Sequence, residues 1–396
     1  MGFVPAQHQT YMANLFATSA RDVDDGVVAQ TTKERQKFYN AWVAWMSTMF
    51  ESIPPTLQGL SKAQQLDVLV AYGRYVRLGG ISSRKHQVRA ETVAMAFRSI
   101  SSTLQLAGEP NPLEGTQGKY PKKISQLLEG YSRNDPPSLP KLAVPVSVPH
   151  WIYLSRCLGN EENKCIGDLS LIAFYYLLRV GEYTYHKVSE KRRTQQFRVC
   201  DVTLWNNTQR ISPNLPLTFL YKHCTAATLN ISNQKNGVRA QAIHVEALQH
   251  ECCPVRAVIR RVQHIKTNSS DDTIMLGSFF EKGKTIKSVT GSKITKAVRD
   301  TVKRLGLDHQ GLAPELVASH SLRAGGAMAM HLNGLSDNCI KKMGRWSSDT
   351  FLMYIHEQIS AFSKGISKKM STHIQFHNIA FQPMIKTPVL WGAAAA

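Results

Sequence analysis

The chain has 396 residues, 43% of them hydrophobic, and its 48 Lys and Arg against 28 Asp and Glu give a formal net charge of +20. That length allows two domains with sizeable cores, and the basic balance points to a polyanionic partner, most commonly nucleic acid. Seven cysteines scattered from Cys157 to Cys339 argue against a secreted disulfide framework, and no apolar run approaches the ~20 residues of a membrane span.

Residues 1–30 are weakly patterned and read as an N-terminal arm or short leading helix. Residues 31–132 carry helical periodicity throughout. Phe38, Trp42, Trp45 and Met46 share one face, and Leu66, Leu69, Val70, Tyr72, Tyr75 and Val76 share another. Ile53-Pro-Pro-Thr and Leu78-Gly-Gly-Ile break the pattern. Two further helices are expected, from Val88 to Leu106 and from Lys122 to Tyr131, making a small four-helix domain.

Residues 133–149 include five prolines and read as a stiff linker. A second domain is expected over 150–378, followed by a tail at 379–396. Trp151 to Cys157 and the strongly apolar Leu169 to Leu178 read as helices. Strand signals follow at Phe197–Trp205, Thr228–Asn233 and Val238–Val245, with Asn236-Gly237 marking a hairpin between the last two. Helices are then expected at 254–265, 292–305, 321–334, 336–343 and 348–362. The fold class is therefore mainly α with one small antiparallel β-sheet.

Several residues could carry chemistry. Arg179 ends an apolar helix, where a buried cation must pair or face a cleft, and Glu182 stands three residues on to hold it. Lys235 sits at the hairpin tip, with Lys222 and Arg239 as nearby competitors. His320 and Arg323 lie three apart at a helix start, so both project to one side. Trp346 offers an indole N–H, and Tyr354 follows in Phe-Leu-Met-Tyr-Ile. Two arginines can clamp a phosphate. A lysine and a histidine can move protons, the indole can donate to a non-bridging oxygen, and the phenol can attack. Phosphoryl transfer depends mostly on such positioning and charge stabilisation, and a phenol near pKa 10 needs a base or a positive field to react at neutral pH.

Taken together, Leu-Leu-Arg179-Val-Gly-Glu182, His320-Ser-Leu-Arg323-Ala-Gly-Gly and Gly-Arg-Trp346…Tyr354 resemble the tyrosine recombinase (phage integrase) family, from about Thr31 to about His377. The resemblance implies an N-terminal helical core-binding domain followed by an α+β tyrosine-recombinase catalytic domain. It implies Tyr354 as nucleophile forming a 3′-phosphotyrosyl link, with Arg179, Arg323, His320 and Trp346 around the phosphate. Glu182 takes the supporting acidic position, and Lys235 protonates the 5′-hydroxyl leaving group. The Trp346–Tyr354 interval is one residue shorter than the commonest family spacing and resembles members found in eukaryotic mobile elements, including Crypton-like transposons.

The reaction so implied stores the phosphodiester energy in the tyrosyl link and needs no ATP, metal or cofactor. Double-stranded DNA is the expected partner, with a homo-tetramer on two DNA sites, Phe376 to Trp391 packing on a neighbouring subunit, and no membrane. The basic clusters Arg84, Lys85, Arg89 and Lys122, Lys123 are candidate phosphate contacts. A type IB topoisomerase would use a similar residue set, and a DNA-binding protein that no longer cuts would keep the fold. Met1–Pro5 lacks the charge and apolar pattern of a signal peptide. The expected location is intracellular and DNA-associated, in the nucleus if the host is eukaryotic. His223, Cys224, His250, Cys252, Cys253 and His264 match no zinc framework, and Cys252-Cys253-Pro254 reads as a helix start.

Overall fold

The computed structural model describes residues 4–27, 29–137, 142–186, 194–231, 241–281, 285–346, 352 and 371. The first helix, α1 (Gln9–Asp25), is 17 residues long, so most of the expected arm is regular helix. It is followed by α2 (Ala29–Met49), α3 (Lys62–Arg77), α4 (Ala90–Leu106) and α5 (Lys122–Arg133). A Ser61–Gln64 capping box starts α3: each residue's side-chain oxygen accepts the other's backbone N–H. The expected apolar faces meet in one cluster holding Trp42, Trp45, Tyr72, Phe97 and Ile124. Trp42 and Tyr72 pack edge to face at 4.8 Å. Trp42 also donates its indole N–H to the Pro55 carbonyl at 3.0 Å, which ties the proline break to the core.

The proline-rich segment is anchored at both ends. Asp135 pairs with buried Arg77 at the end of α3 and accepts the Ala90 N–H at the start of α4. At the far end Ala143 and Val144 are buried. The Leu142 N–H donates to the Leu316 carbonyl at 2.9 Å, and the Val144 N–H to the Ser321 carbonyl at 3.3 Å. The helix α6 (Ser147–Leu154) then takes in Pro149 at its N-terminal end, where a missing N–H costs nothing. The segment expected as linker up to 149 therefore runs over the second core from Leu142 onward. Its Leu-Ala-Val stretch is apolar enough to be buried there.

The second core is built around α7 (Glu161–Tyr175), which is buried from Cys165 to Phe174. The expected helix at Leu169 starts eight residues earlier, because Asn160 caps it by accepting the Asn163 N–H. Next come the short α8 (Val180–Tyr183), β1 (Val202–Asn206), β2 (Gln209–Ile211), α9 (Leu217–His223), β3 (Ala226–Ile231), β4 (Gln241–Glu246) and α10 (Pro254–Asn268). The four strands form one antiparallel sheet in the order β2-β1-β3-β4. The expected hairpin partners β3 and β4 pair from Ala226–Glu246 to Ile231–Gln241. Cys253 precedes Pro254 at the first turn of α10. A second, two-stranded sheet of β5 (Ser278–Phe280) and β6 (Ile286–Ser288) corrects the expectation of a single sheet. It is followed by α11 (Gly291–Arg304), α12 (His320–Leu332) and α13 (Asp337–Gly344). Of the helix expected at 348–362, only Leu352 lies within the described residues. Among the described residues no helix is long and apolar enough to cross a membrane.

Candidate active site

The site forms where the end of α7 meets α12. Two glycines make that approach possible. A Cβ on Gly325 would lie 2.9 Å from Phe174 Cε2 and closer still to the Val144 carbonyl oxygen, and one on Gly326 would run into the Phe174 carbonyl. The Ala-Gly-Gly step after Arg323 thus lets the backbone of α12 touch both α7 and the Leu142–Val146 segment. After Tyr176 the chain turns through Leu177 in the left-handed region, at φ 49°. That conformation costs a non-glycine residue about 1 kcal/mol. It aims the Leu177 carbonyl into the site, where both Arg323 and Arg345 donate to it.

Arg179 stands at the N-cap of α8. Its backbone N–H donates to Glu182 Oε2 at 2.8 Å and its Nη1 to Oε1 at 3.2 Å. Its Nη2 donates to the Arg345 carbonyl at 3.3 Å. Arg323, on the buried face of α12, is only 1% exposed. It donates to the carbonyls of Leu177 and Gly344, and its guanidinium lies 4.4 Å from the Trp346 ring centroid, stacked as a cation on the indole. Gly344 is the residue that permits this fold-back, because any Cβ there would fall inside the Trp346 ring.

His320 opens α12. Burial lowers its pKa below the usual value, and the positive charges of Arg323 and Arg179 lower it further. The imidazole is therefore neutral at physiological pH and can accept a proton. Burial works against the Glu182 carboxylate, but Arg345's charge and hydrogen bonds, together with Arg179's N–H and charge, outweigh it. They hold the carboxyl below its usual range.

Five residues singled out from the sequence, Arg179, Glu182, His320, Arg323 and Trp346, are thus brought together. The sixth participant is Arg345, for which no role was expected. Its Nη1 and Nη2 donate to the two Glu182 oxygens, each at 3.0 Å. An arginine beside a glycine reads as a surface cation, and only the left-handed turn at Arg345 (φ 58°) directs it inward.

Lys235 and Tyr354 lie outside the described residues, as do Arg239 and the segment Phe376 to Trp391. Lys222 is exposed on α9. Arg84, Lys85, Arg89, Lys122 and Lys123 are exposed on the four-helix unit, and Lys123 is paired with Asp67. Among the described residues no three His, Cys, Asp or Glu side chains are arranged to hold a metal ion. Cys253 instead accepts the Leu248 N–H, at 3.1 Å.

No protein-family model and no curated protein matches the chain. Solved structures it resembles include integrases and site-specific recombinases. It is 12% identical to the Tn1549 transposon integrase (residues 82–397) in complex with circular intermediate DNA, over 84% of this chain and 99% of that one, with a TM-score of 0.45. For the XerH site-specific recombinase bound to palindromic difH substrate the values are 14%, 83%, 76% and 0.48. For a lambda integrase (75–356) dimer bound to a COC' core site they are 13%, 87%, 94% and 0.44. At these identities and scores no residue's role is carried across; function rests on the side chains themselves.

Proposed function

We propose that this protein cuts and rejoins DNA strands through a 3′-phosphotyrosyl intermediate, as a site-specific recombinase. The observation that carries the reading is the meeting of Arg179, His320, Arg323 and Trp346, distant in sequence, around one shared network at the end of α7. Three arginines against one carboxylate leave this cluster net positive, which suits a phosphodiester. Its unprotonated histidine can take a proton.

In this reading the Tyr354 phenol oxygen bonds to phosphorus and gives its proton to His320. The bond from phosphorus to the 5′-oxygen breaks, and Lys235 protonates that oxygen. Arg179 and the Trp346 indole N–H stabilise the charge that builds on the non-bridging oxygens. Arg323 joins them once its hold on the Gly344 carbonyl gives way to a phosphate oxygen, a stronger, charged acceptor. Rejoining reverses the steps, so neither ATP nor a metal is consumed. We expect the protein to be DNA-associated and to act as a tetramer on two DNA sites.

A duplex nicked near its cognate site traps the intermediate, because the short leaving strand diffuses away. The wild-type protein should form a covalent protein–DNA adduct and Tyr354→Phe should not. An adduct with the Phe variant would refute the nucleophile assignment. Binding without any adduct would make the protein a non-cutting DNA-binding protein, and relaxation of any supercoiled plasmid would favour topoisomerase chemistry.

A further inference from the structure

Arg345 cannot itself meet DNA in this arrangement. Its side chain is 3% exposed, against 24% for Arg179. Yet it contacts the partners of both other arginines. It takes both oxygens of Glu182, each at 3.0 Å, and shares the Leu177 carbonyl with Arg323, donating from Nη2 at 3.0 Å. Its own carbonyl accepts from Arg179 at 3.3 Å. A planar two-pronged donor suits this geometry, whereas a lysine could reach one oxygen but not hold both.

We propose that Arg345 is a positioning residue: by gripping both Glu182 oxygens it limits how far that carboxylate neutralises Arg179, and so keeps Arg179's charge directed at an incoming phosphate. This rests on the phosphate-binding reading of the site. With Arg345 present, Glu182 is shared between two cations. Without it, the buried carboxylate faces Arg179 as the remaining charged partner of this triad. It then either draws that guanidinium inward or, because burial favours the neutral acid, takes up a proton. A protonated Glu182 would no longer neutralise Arg179, so Glu182→Gln should relieve the loss of Arg345.

The test uses the full-length protein and the nicked duplex. Arg345→Gln should slow adduct formation by about 10- to 100-fold, the range found when partners that orient a reactive site are removed. Its rate should also fall as pH rises through a raised Glu182 pKa, a limb that the wild type lacks in the same range. Arg345→Lys, which keeps the charge but can hold only one Glu182 oxygen, should fall between the wild type and Arg345→Gln. The double variant Glu182→Gln with Arg345→Gln should be faster than Arg345→Gln alone and lack the pH limb.

A folded Arg345→Gln at the wild-type rate overturns the proposal. So does a double variant slower than the single one, or a Lys variant as slow as the Gln variant. If Arg345→Gln fails to fold, the double variant, which removes both members of the buried Arg345–Glu182 pair, should fold and form adduct; its failure to fold also overturns the proposal. If the wild type forms no adduct on any duplex, the cutting reading falls instead. Arg345 is then judged by carboxyl-carbon NMR of Glu182 and by duplex affinity. Arg345→Gln should raise the Glu182 pKa and weaken binding, and no change in either refutes it.

Discussion

Replacing Gly325 by alanine sets two effects of known size against each other. Within a helix, alanine is favoured over glycine by about 1 kcal/mol. Here the added Cβ would lie 2.9 Å from the Phe174 ring, when ordinary contact begins at 3.4 Å, and it would press harder on the Val144 carbonyl. The ring can shift by half an ångström. The carbonyl belongs to a segment pinned by the Val144 N–H donating to Ser321, so backbone must move as well. Overpacking of this kind costs typically 1–3 kcal/mol, occasionally more, and loosening that hydrogen bond adds about 1 kcal/mol.

Gly325→Ala should therefore lose roughly 1–3 kcal/mol net, a fall in Tm of about 2–4 °C per kcal/mol for a domain of this size. The adduct rate should fall further, on the order of 10²-fold, because α12 carries His320 and Arg323 and a displacement near 1 Å is enough to spoil such positioning. The control is Gly130→Ala in α5, where a Cβ meets nothing within 4 Å; it should raise stability by up to about 1 kcal/mol. Thermal and urea unfolding by circular dichroism read both variants. If Gly325→Ala melts at or above the wild-type temperature, the steric account of the Gly-Gly step is wrong.

Three further outcomes are expected. His264 accepts the Phe280 N–H at Nε2 and faces Glu161 through Nδ1 at 3.1 Å, and burial, with Arg261's charge, lowers its pKa from 6.5 to about 4. The unfolded chain thus binds a proton that the folded one refuses, so stability falls as pH drops from about 6.5 towards 4. The loss should be about 2 kcal/mol between pH 7 and pH 5. His264→Gln should flatten that part of the urea-unfolding profile relative to wild type, and an unchanged slope would refute the assignment. On the four-helix unit, Arg84→Gln with Lys85→Gln and Arg89→Gln should weaken duplex binding and reduce the slope of log affinity against log salt by about 0.9 for each phosphate left unneutralised. Lys123→Gln should matter less than Lys122→Gln, because Asp67 already offsets Lys123; equal effects would show that pair to be broken on DNA.

Much of this architecture was legible in the residues, for identifiable reasons. The helices α4, α5, α11, α12 and α13 begin and end within about two residues of their expected bounds, because periodic apolar faces are local signals. The pieces missed, β2, α9 and the β5–β6 hairpin, are short. Ser278-Phe-Phe280 is buried on every residue, so it shows no alternation to read. At the site, the spacing of His320 and Arg323 and the apolar run before Arg179 marked them only in combination with Trp346 and Tyr354. Arg345 was not marked, since its inward direction depends on a left-handed turn and on a carboxylate 163 positions away. Nor could the sequence show that Arg323 donates to two main-chain carbonyls, because those acceptors are set by backbone geometry and not by residue type.

The anchoring of Leu142 and Val144 bears on where this chain can be divided. A fragment begun at His150 would strip the ribbon that lies over Gly325 and leave the Leu316 and Ser321 carbonyls without their donors. One begun just before Leu142 would keep them. The same hydrogen bonds tie residues 142–144 directly to Leu316 and to Ser321, two positions before Arg323. On the function proposed above, the half that would hold DNA is thus stitched to the helix that carries the histidine.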